Sequence, residues 1–151
     1  MNTLATTTDR DKSGRASQES PTSTVKSVSE LAGRVLLSVL FLLSGLGKIG
    51  AYAATAAYMS SVGVPSVLLP VVIATEVLGA IAIILGWQTR IIAFLLAGYT
   101  LLAALIFHTN FADQIEMINF LKNVSIAGGF LLLVANGAGP LSLDRRLARG
   151  A

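Results

Sequence analysis

The chain has 151 residues, of which 54% are hydrophobic and only 13% are charged, and its net charge is +3. Soluble domains carry about 25% charged residues, so this composition excludes an ordinary water-exposed protein. There is no cysteine, which excludes thiolate nucleophiles, disulfides and cysteine-ligated metal sites. The basic residues lie mostly in the two terminal segments and one short turn. That distribution indicates membrane topology rather than contact with nucleic acid.

Residues 1–29 are rich in Ser, Thr, Asp and Lys and contain few apolar residues. Such a segment buries too little apolar surface to offset the entropy lost on ordering it. We therefore predict a disordered cytoplasmic tail over residues 1–29, followed by a single membrane domain over residues 30–147.

Four apolar runs follow the tail, and each is close to the length of about 20 residues that a helix needs to cross the hydrocarbon layer. Strands of a membrane barrel would be half as long and would alternate apolar with polar residues, which these runs do not. The sequence therefore predicts an all-α integral membrane bundle of four transmembrane helices. The runs cover residues 31–49, 67–87, 91–107 and 118–135.

Lysine and arginine in the loops predict the orientation of the bundle. The segments that flank the bundle and the turn at Arg90 carry basic residues, whereas loops 50–66 and 108–117 carry none. Because basic loops stay in the cytoplasm, both termini are predicted to be cytoplasmic. The first run could also be a signal peptide cleaved near Ala53, but the long polar segment before it favours a retained span.

Glu76 is the charged residue at the greatest predicted depth. It lies nine residues into the second run, about 14 Å along a helix and therefore near the middle of the hydrocarbon layer. A carboxylate facing lipid at that depth would cost several kcal/mol, so we expect Glu76 to face the bundle and meet a cation or be protonated. The side chains of two lysines can reach the Glu76 carboxylate: Lys48 at the end of the first run and Lys122 in the fourth.

Three further polar residues are candidates for a site. His108 closes the third run and Asn123 follows Lys122, so both are expected in a polar cluster with Glu76. Arg90 opens the third run at the opposite end, where contact with lipid phosphate is the simplest interpretation. A lone histidine argues against a zinc site or a bis-histidine haem. The cluster is either a binding or proton-handling site or an ion pair that locks helices together, and both interpretations remain open.

Short motifs follow one another in a characteristic order across residues 30–147. They are SGLGKI in the first run, GVP before the second, the segments 76–79 (EVLG) and 86–90 (GWQTR), His108, the segment 120–123 (FLKN) and the segment 139–144 (GPLSLD). In their order and spacing these motifs resemble the DoxX family.

The resemblance implies a multi-pass protein of the bacterial inner (cytoplasmic) membrane, in contact with the lipid bilayer and linked to quinone chemistry. Some members of the family are similar to the small subunit of a thiosulfate:quinone oxidoreductase. A quinone would then be a substrate, with no covalent cofactor and no metal. On this hypothesis the catalytic residues are Glu76, His108 and Lys122, and the quinone-binding residues are Lys48, Asn123 and Arg90.

Three functions remain open, and with them the question of whether the chain is an enzyme. The first is a membrane subunit or accessory of a quinone-linked oxidoreductase, which would receive electrons from a soluble or membrane partner subunit or directly from a substrate. The second is a non-catalytic anchor or assembly module for partner enzymes. The third, transport of a small solute, would require a homo-oligomer, because four short spans show neither repeats nor broken helices.

Overall fold

A computed structural model describes residues 21–150 of the chain, and its side chains from residue 23. All regular structure within that range is helical, so the predicted all-α fold is confirmed. The helices are α1 (Pro21–Gly50), α2 (Tyr52–Ser61), α3 (Leu69–Leu85), α4 (Thr89–Phe107), α5 (Gln114–Asn136) and α6 (Leu143–Gly150), with a 3-10 turn at Ser66–Leu68 before α3.

Helices α1, α3, α4 and α5 are each long and apolar enough to cross a membrane, which confirms the four predicted spans. Local signals set their ends. Pro70 lies in the first turn of α3, where its missing N–H does least harm, and Gly86 ends that helix with a positive φ of 68°. Asp113 caps α5 by accepting a hydrogen bond of 2.8 Å from the backbone N–H of Ile115.

The spans pack mainly as two antiparallel pairs, α1 with α3 and α4 with α5, and α3 meets α4 to join the pairs. Glycines allow close approach, as the stripes of small residues in the sequence suggest. A Cβ atom would lie 2.7 Å from Val77 Cγ2 if added at Gly45, and 3.0 Å from Leu96 if added at Gly79. The core between the pairs is made of Phe41, Ala80, Ile83, Ala93, Leu96, Ala97, Ala127 and Phe130.

The bundle has two distinct ends. The terminal end contains the start of α1, the α3–α4 turn and α6; here Gly139 packs against Glu30, and Arg34 donates a hydrogen bond to the Leu141 carbonyl. The opposite end, called the α2 end, contains the end of α1, helix α2 and the α4–α5 connection. The first and last described helices therefore meet at one end, as an even number of spans requires.

The segments outside the four predicted spans contain more helix than the sequence indicates. Residues 1–20 of the tail predicted to be disordered lie outside the described residues, while residues 21–29 form the first turns of α1. Extending an existing helix is far easier than nucleating one, so a polar segment can continue a membrane span. Helix α2 lies in the segment expected to be a loop, and helix α6 lies in the C-terminal segment. Both are too short to cross a membrane.

Candidate functional site

An ion pair between a partly exposed lysine and a buried glutamate links α1 and α3 at the α2 end. Glu76 is only 4% exposed. The Lys48 ammonium group donates hydrogen bonds to both carboxylate oxygens of Glu76, with Nζ 2.9 Å from each. It also donates to Ser44 Oγ at 2.6 Å, one turn earlier on α1. Glu76 therefore faces the bundle and meets a cation, as expected from its depth.

The path of α1 explains why Lys48 turns inward instead of reaching toward the membrane surface. Ser44 and Lys48 are four residues apart and share one face of the helix. Gly45 lies beside that face, where an added Cβ atom would be 3.2 Å from Glu76 Cβ. The resulting close approach of α1 and α3 brings the lysine stem within reach of the carboxylate.

Tyr99 of α4 is a third member of this cluster and was not predicted from the sequence. Its hydroxyl donates a hydrogen bond of 2.7 Å to Glu76 Oε1, and its ring packs against Phe41 with centroids 6.4 Å apart. A tyrosine in an apolar run is readily interpreted as packing. The signal that could have identified Tyr99 is its depth, because a hydroxyl in mid-membrane needs a polar partner.

Lys48, Glu76 and Tyr99 line a cavity of about 460 Å³ at the α2 end. The remaining walls are mainly apolar and include Leu40, Met59, Val72, Leu102, Ile106 and Phe107. Small-molecule sites are typically concavities of roughly 300–1,000 Å³ with apolar walls and a few convergent polar groups. Size, walls and polar cluster together match that description.

Helix α2 forms one wall of the cavity. Met59 is buried there, and the ring of Tyr58 stacks on Phe107 of α4 with centroids 5.7 Å apart. Tyr58 is half-exposed, as expected for an aromatic residue at the membrane interface. Tyr58 also has a structural role that the sequence did not indicate, because its stacking on Phe107 holds α2 against the rim of the cavity.

The structure brings four of the six candidate residues to this cavity. Besides Lys48 and Glu76, His108 and Asn123 line it. His108 Nδ1 also lies 2.7 Å from a carboxylate oxygen of Glu116. Among residues 23–150, no group of three or more His, Asp and Glu is placed to hold a metal ion.

Lys122 and Arg90 lie elsewhere. Lys122 is exposed on the outer face of α5 and donates a hydrogen bond of 2.9 Å to Asn119 Oδ1. Successive residues point about 100° apart around a helix, so Asn123 can face the cavity while Lys122 faces outward. Arg90 lies at the terminal end of the bundle, beside Gly137.

A fully buried cation, Arg34, organises the terminal end. A basic side chain near the end of a span usually reaches the membrane surface, but Arg34 turns into the bundle. Its Nη1 donates to the carbonyls of Ile83 at 3.2 Å and Ile84 at 3.0 Å, and Nη2 donates to the carbonyl of Leu141. Carbonyls in the last turn of a helix carry partial negative charge and lack their full set of helical donors, so those of α3 accept the buried guanidinium.

Asp144 fastens α6 to the turn between α3 and α4. Its carboxylate accepts hydrogen bonds from the backbone N–H groups of Gln88 at 2.7 Å and Thr89 at 2.9 Å, and its own N–H donates to the Gly86 carbonyl at 2.9 Å. Burial alone would raise the pKa of Asp144, but the hydrogen bonds from Thr89 and Gln88 and the charge of Arg34 outweigh it and leave this pKa below its ordinary value.

Comparison with known proteins identifies the family. The DoxX family model matches residues 29–109. The chain is 46% identical over 123 residues to the inner membrane protein YqjF of Escherichia coli (strain K12), which covers 82% of this chain and 95% of YqjF. It is 45% identical over 123 residues to the inner membrane protein YphA of the same organism, covering 77% of this chain and 88% of YphA.

A third relative is more distant. The Bacillus subtilis (strain 168) protein named "Putative oxidoreductase CatD" is 33% identical over 79 residues, which cover 52% of this chain and 58% of CatD. No solved structure is significantly similar to the chain. From the family match, the two inner membrane relatives and the four spans, it follows that this chain is a multi-pass inner-membrane protein that belongs to the DoxX family.

Proposed function

We propose that the chain is a membrane subunit of a quinone-linked oxidoreductase and that the cavity at the α2 end binds the quinone head group. The observation that carries the proposal is the cluster of Lys48, Glu76 and Tyr99 on the wall of a mainly apolar cavity. A quinone ring is flat and apolar, and its two carbonyl oxygens accept hydrogen bonds and take up protons on reduction. The cavity offers apolar walls for the ring and two donors for an oxygen.

In this proposal each residue of the cluster has a distinct role. When a quinone binds, the Tyr99 hydroxyl and one N–H of the Lys48 ammonium exchange their hydrogen bonds to Glu76 for hydrogen bonds to a quinone oxygen, where negative charge develops as electrons arrive. Glu76 holds both donors in position and can relay a proton between them. The quinone takes up two electrons and two protons to become a quinol, and the electrons come from a partner subunit or a reduced substrate.

The pair formed by His108 and Glu116 provides a route for those protons. His108 lines the cavity and contacts Glu116, and both side chains are partly exposed at the α2 end. An imidazole can accept a proton at one ring nitrogen and release it from the other, so His108 can pass protons between the aqueous surface and the cavity. If the basic segments hold the termini in the cytoplasm, this route opens on the opposite side of the membrane.

The relative CatD supports the redox part of the proposal, because its name describes it as an oxidoreductase. The support is limited to the general class of reaction. The choice of a quinone as the ligand rests on the chemistry of the cavity and on the position of the cavity within the membrane-spanning part of the bundle.

Binding of a short-chain quinone to the purified protein in lipid nanodiscs tests the proposal. We expect saturable binding by calorimetry, weakened about tenfold in Tyr99→Phe, because one hydrogen bond to a polar ligand is lost while the ion pair remains. Tyr52→Phe is the matched control, since Tyr52 is exposed and does not line the cavity. Absence of quinone binding by the wild-type protein would contradict the proposal.

A second pair of variants separates the quinone site from an anchoring role. Lys48→Gln removes the positive charge from the cavity, whereas Lys122→Gln removes the same charge from the outer face of α5. We expect only Lys48→Gln to weaken quinone binding. A different result would favour an assembly module: the wild-type chain binds no quinone, and a partner enzyme copurifies equally well with both variants.

A further inference from the structure

A second cavity, of about 700 Å³, opens at the terminal end of the bundle, away from the proposed quinone site. Its walls come from the start of α1, the start of α4, the segment after α5 and helix α6. Most of the lining residues are polar or charged, in contrast to the apolar walls at the α2 end. The two cavities therefore suit different kinds of ligand.

Two arginines that line this second cavity are available to bind a ligand. Of the lining carboxylates, Glu30 pairs with Lys26 at 3.8 Å, and Asp144 accepts the N–H groups of the α3–α4 turn. Among residues 23–150, the guanidinium groups of Arg90 and Arg145 have neither a hydrogen bond nor an ion pair. Two free guanidinium forks in one cavity match the geometry of a phosphate group.

The level of the cavity indicates where the phosphate comes from. Thr89 is the first residue of α4 and Asn136 the last of α5, and both line the cavity. The cavity thus lies where the spans leave the hydrocarbon layer, at the depth of lipid head groups. Exposed apolar side chains lie at the same end, with Leu147 on α6 itself and Trp87 in the turn. Acyl chains could cover them.

We propose that the terminal cavity binds the head group of an anionic phospholipid, with Arg90 and Arg145 on its phosphate. Helix α6 then lies at the membrane surface, with Arg145 toward the bound head group and Leu147 toward acyl chains. The hydrogen bonds of Asp144 and Arg34 hold α6 and the preceding segment in place, so that Arg145 lines the same cavity as Arg90. This site is independent of the quinone site at the other end of the bundle.

Native mass spectrometry of the full chain with added lipid tests this site. We expect phosphatidylglycerol to bind more tightly than phosphatidylcholine. Arg90→Gln and Arg145→Gln should each weaken binding of phosphatidylglycerol about tenfold, the size expected for loss of a charge-assisted hydrogen bond. Neither guanidinium has a partner among residues 23–150, so the unfolding temperature should stay unchanged and serve as the check on folding.

Arg146→Gln is the matched control, because it removes the same charge from the same helix at a position that does not line the cavity. It should change the affinity by about twofold at most, since an exposed charge is largely screened. An equal loss in Arg146→Gln, or equal binding of the two lipids, would overturn the site. Inorganic phosphate that binds the protein as tightly as the lipid would reassign the cavity to a soluble phosphate ligand.

Discussion

Lys48 and Glu76 place two opposite charges inside a bundle that has few charges in its spans. Removing each from water costs several kcal/mol, and their attraction offsets this only when further hydrogen bonds satisfy both groups. Ser44 and Tyr99 supply those hydrogen bonds. An apolar pair of similar volume would hold α1 and α3 together at least as well. The retained charges therefore favour a role in ligand binding or proton transfer over simple packing.

Lys48→Met should destabilise the protein more than its own lost contacts explain, because it leaves Glu76 buried without a counter-ion. We expect a loss of about 3 kcal/mol in the free energy of unfolding, measured by denaturation in detergent. The double variant Lys48→Met/Glu76→Gln should recover most of that loss. Lys122→Met provides the control for an exposed lysine, and strictly additive effects of Lys48→Met and Glu76→Gln would argue against the coupling.

At the scale of elements, the terminal end is organised around the turn between α3 and α4. Gly86 adopts a positive φ of 68°, and a Cβ atom added there would collide with the Arg34 guanidinium and lie 2.5 Å from Ser142 Cβ. The turn, the start of α1 and the segment before α6 thus converge on one glycine. This convergence explains why the segments 86–90 and 139–144, both part of the family resemblance, are in contact despite their separation in sequence.

The Asp144 contacts make the attachment of α6 sensitive to acid. The pKa of Asp144 is lower in the folded protein than its ordinary value, so its contribution is fully present above the unfolded pKa of about 4. That contribution is lost as the pH falls through the folded pKa. Asp144→Asn keeps one acceptor oxygen but loses the other together with the charge, so it should cost about 1 kcal/mol at pH 7, the size of one hydrogen bond, and much less at the most acid pH.

Unfolding in detergent, followed at a series of pH values from neutral to acid, measures this difference between the wild type and Asp144→Asn. The gap between the two proteins should narrow as the pH falls, because wild-type Asp144 becomes protonated and loses the same interactions. A gap that stays constant over the whole range would mean that the Asp144 charge contributes nothing to the attachment of α6.

At the scale of the whole molecule, the start of α1 and helix α6 share one end of the bundle, and α2 and the α4–α5 connection share the other. The basic residues predict that the terminal end faces the cytoplasm, and the absence of native cysteine makes the orientation directly measurable. Single cysteines can be introduced without removing any existing thiol.

We expect Ser61→Cys and Ala112→Cys, both exposed at the α2 end, to react with a membrane-impermeant maleimide in intact spheroplasts. Arg149→Cys, at the exposed end of α6, should react only after the membrane is permeabilised, because basic segments remain in the cytoplasm. The opposite labelling pattern would invert the bundle and place the proposed quinone cavity in the cytoplasmic half of the membrane.

The number and length of the spans, and the inward-facing Glu76 near mid-membrane, follow from the sequence by itself. They depend on local hydrophobicity and on the fixed rise of a helix, which each segment carries independently. The tertiary structure decided which groups meet. It paired Glu76 with Lys48 and Tyr99, turned Lys122 outward and buried Arg34. The rotation of each helix about its axis is set by packing against its neighbours, so it cannot be read from one segment at a time.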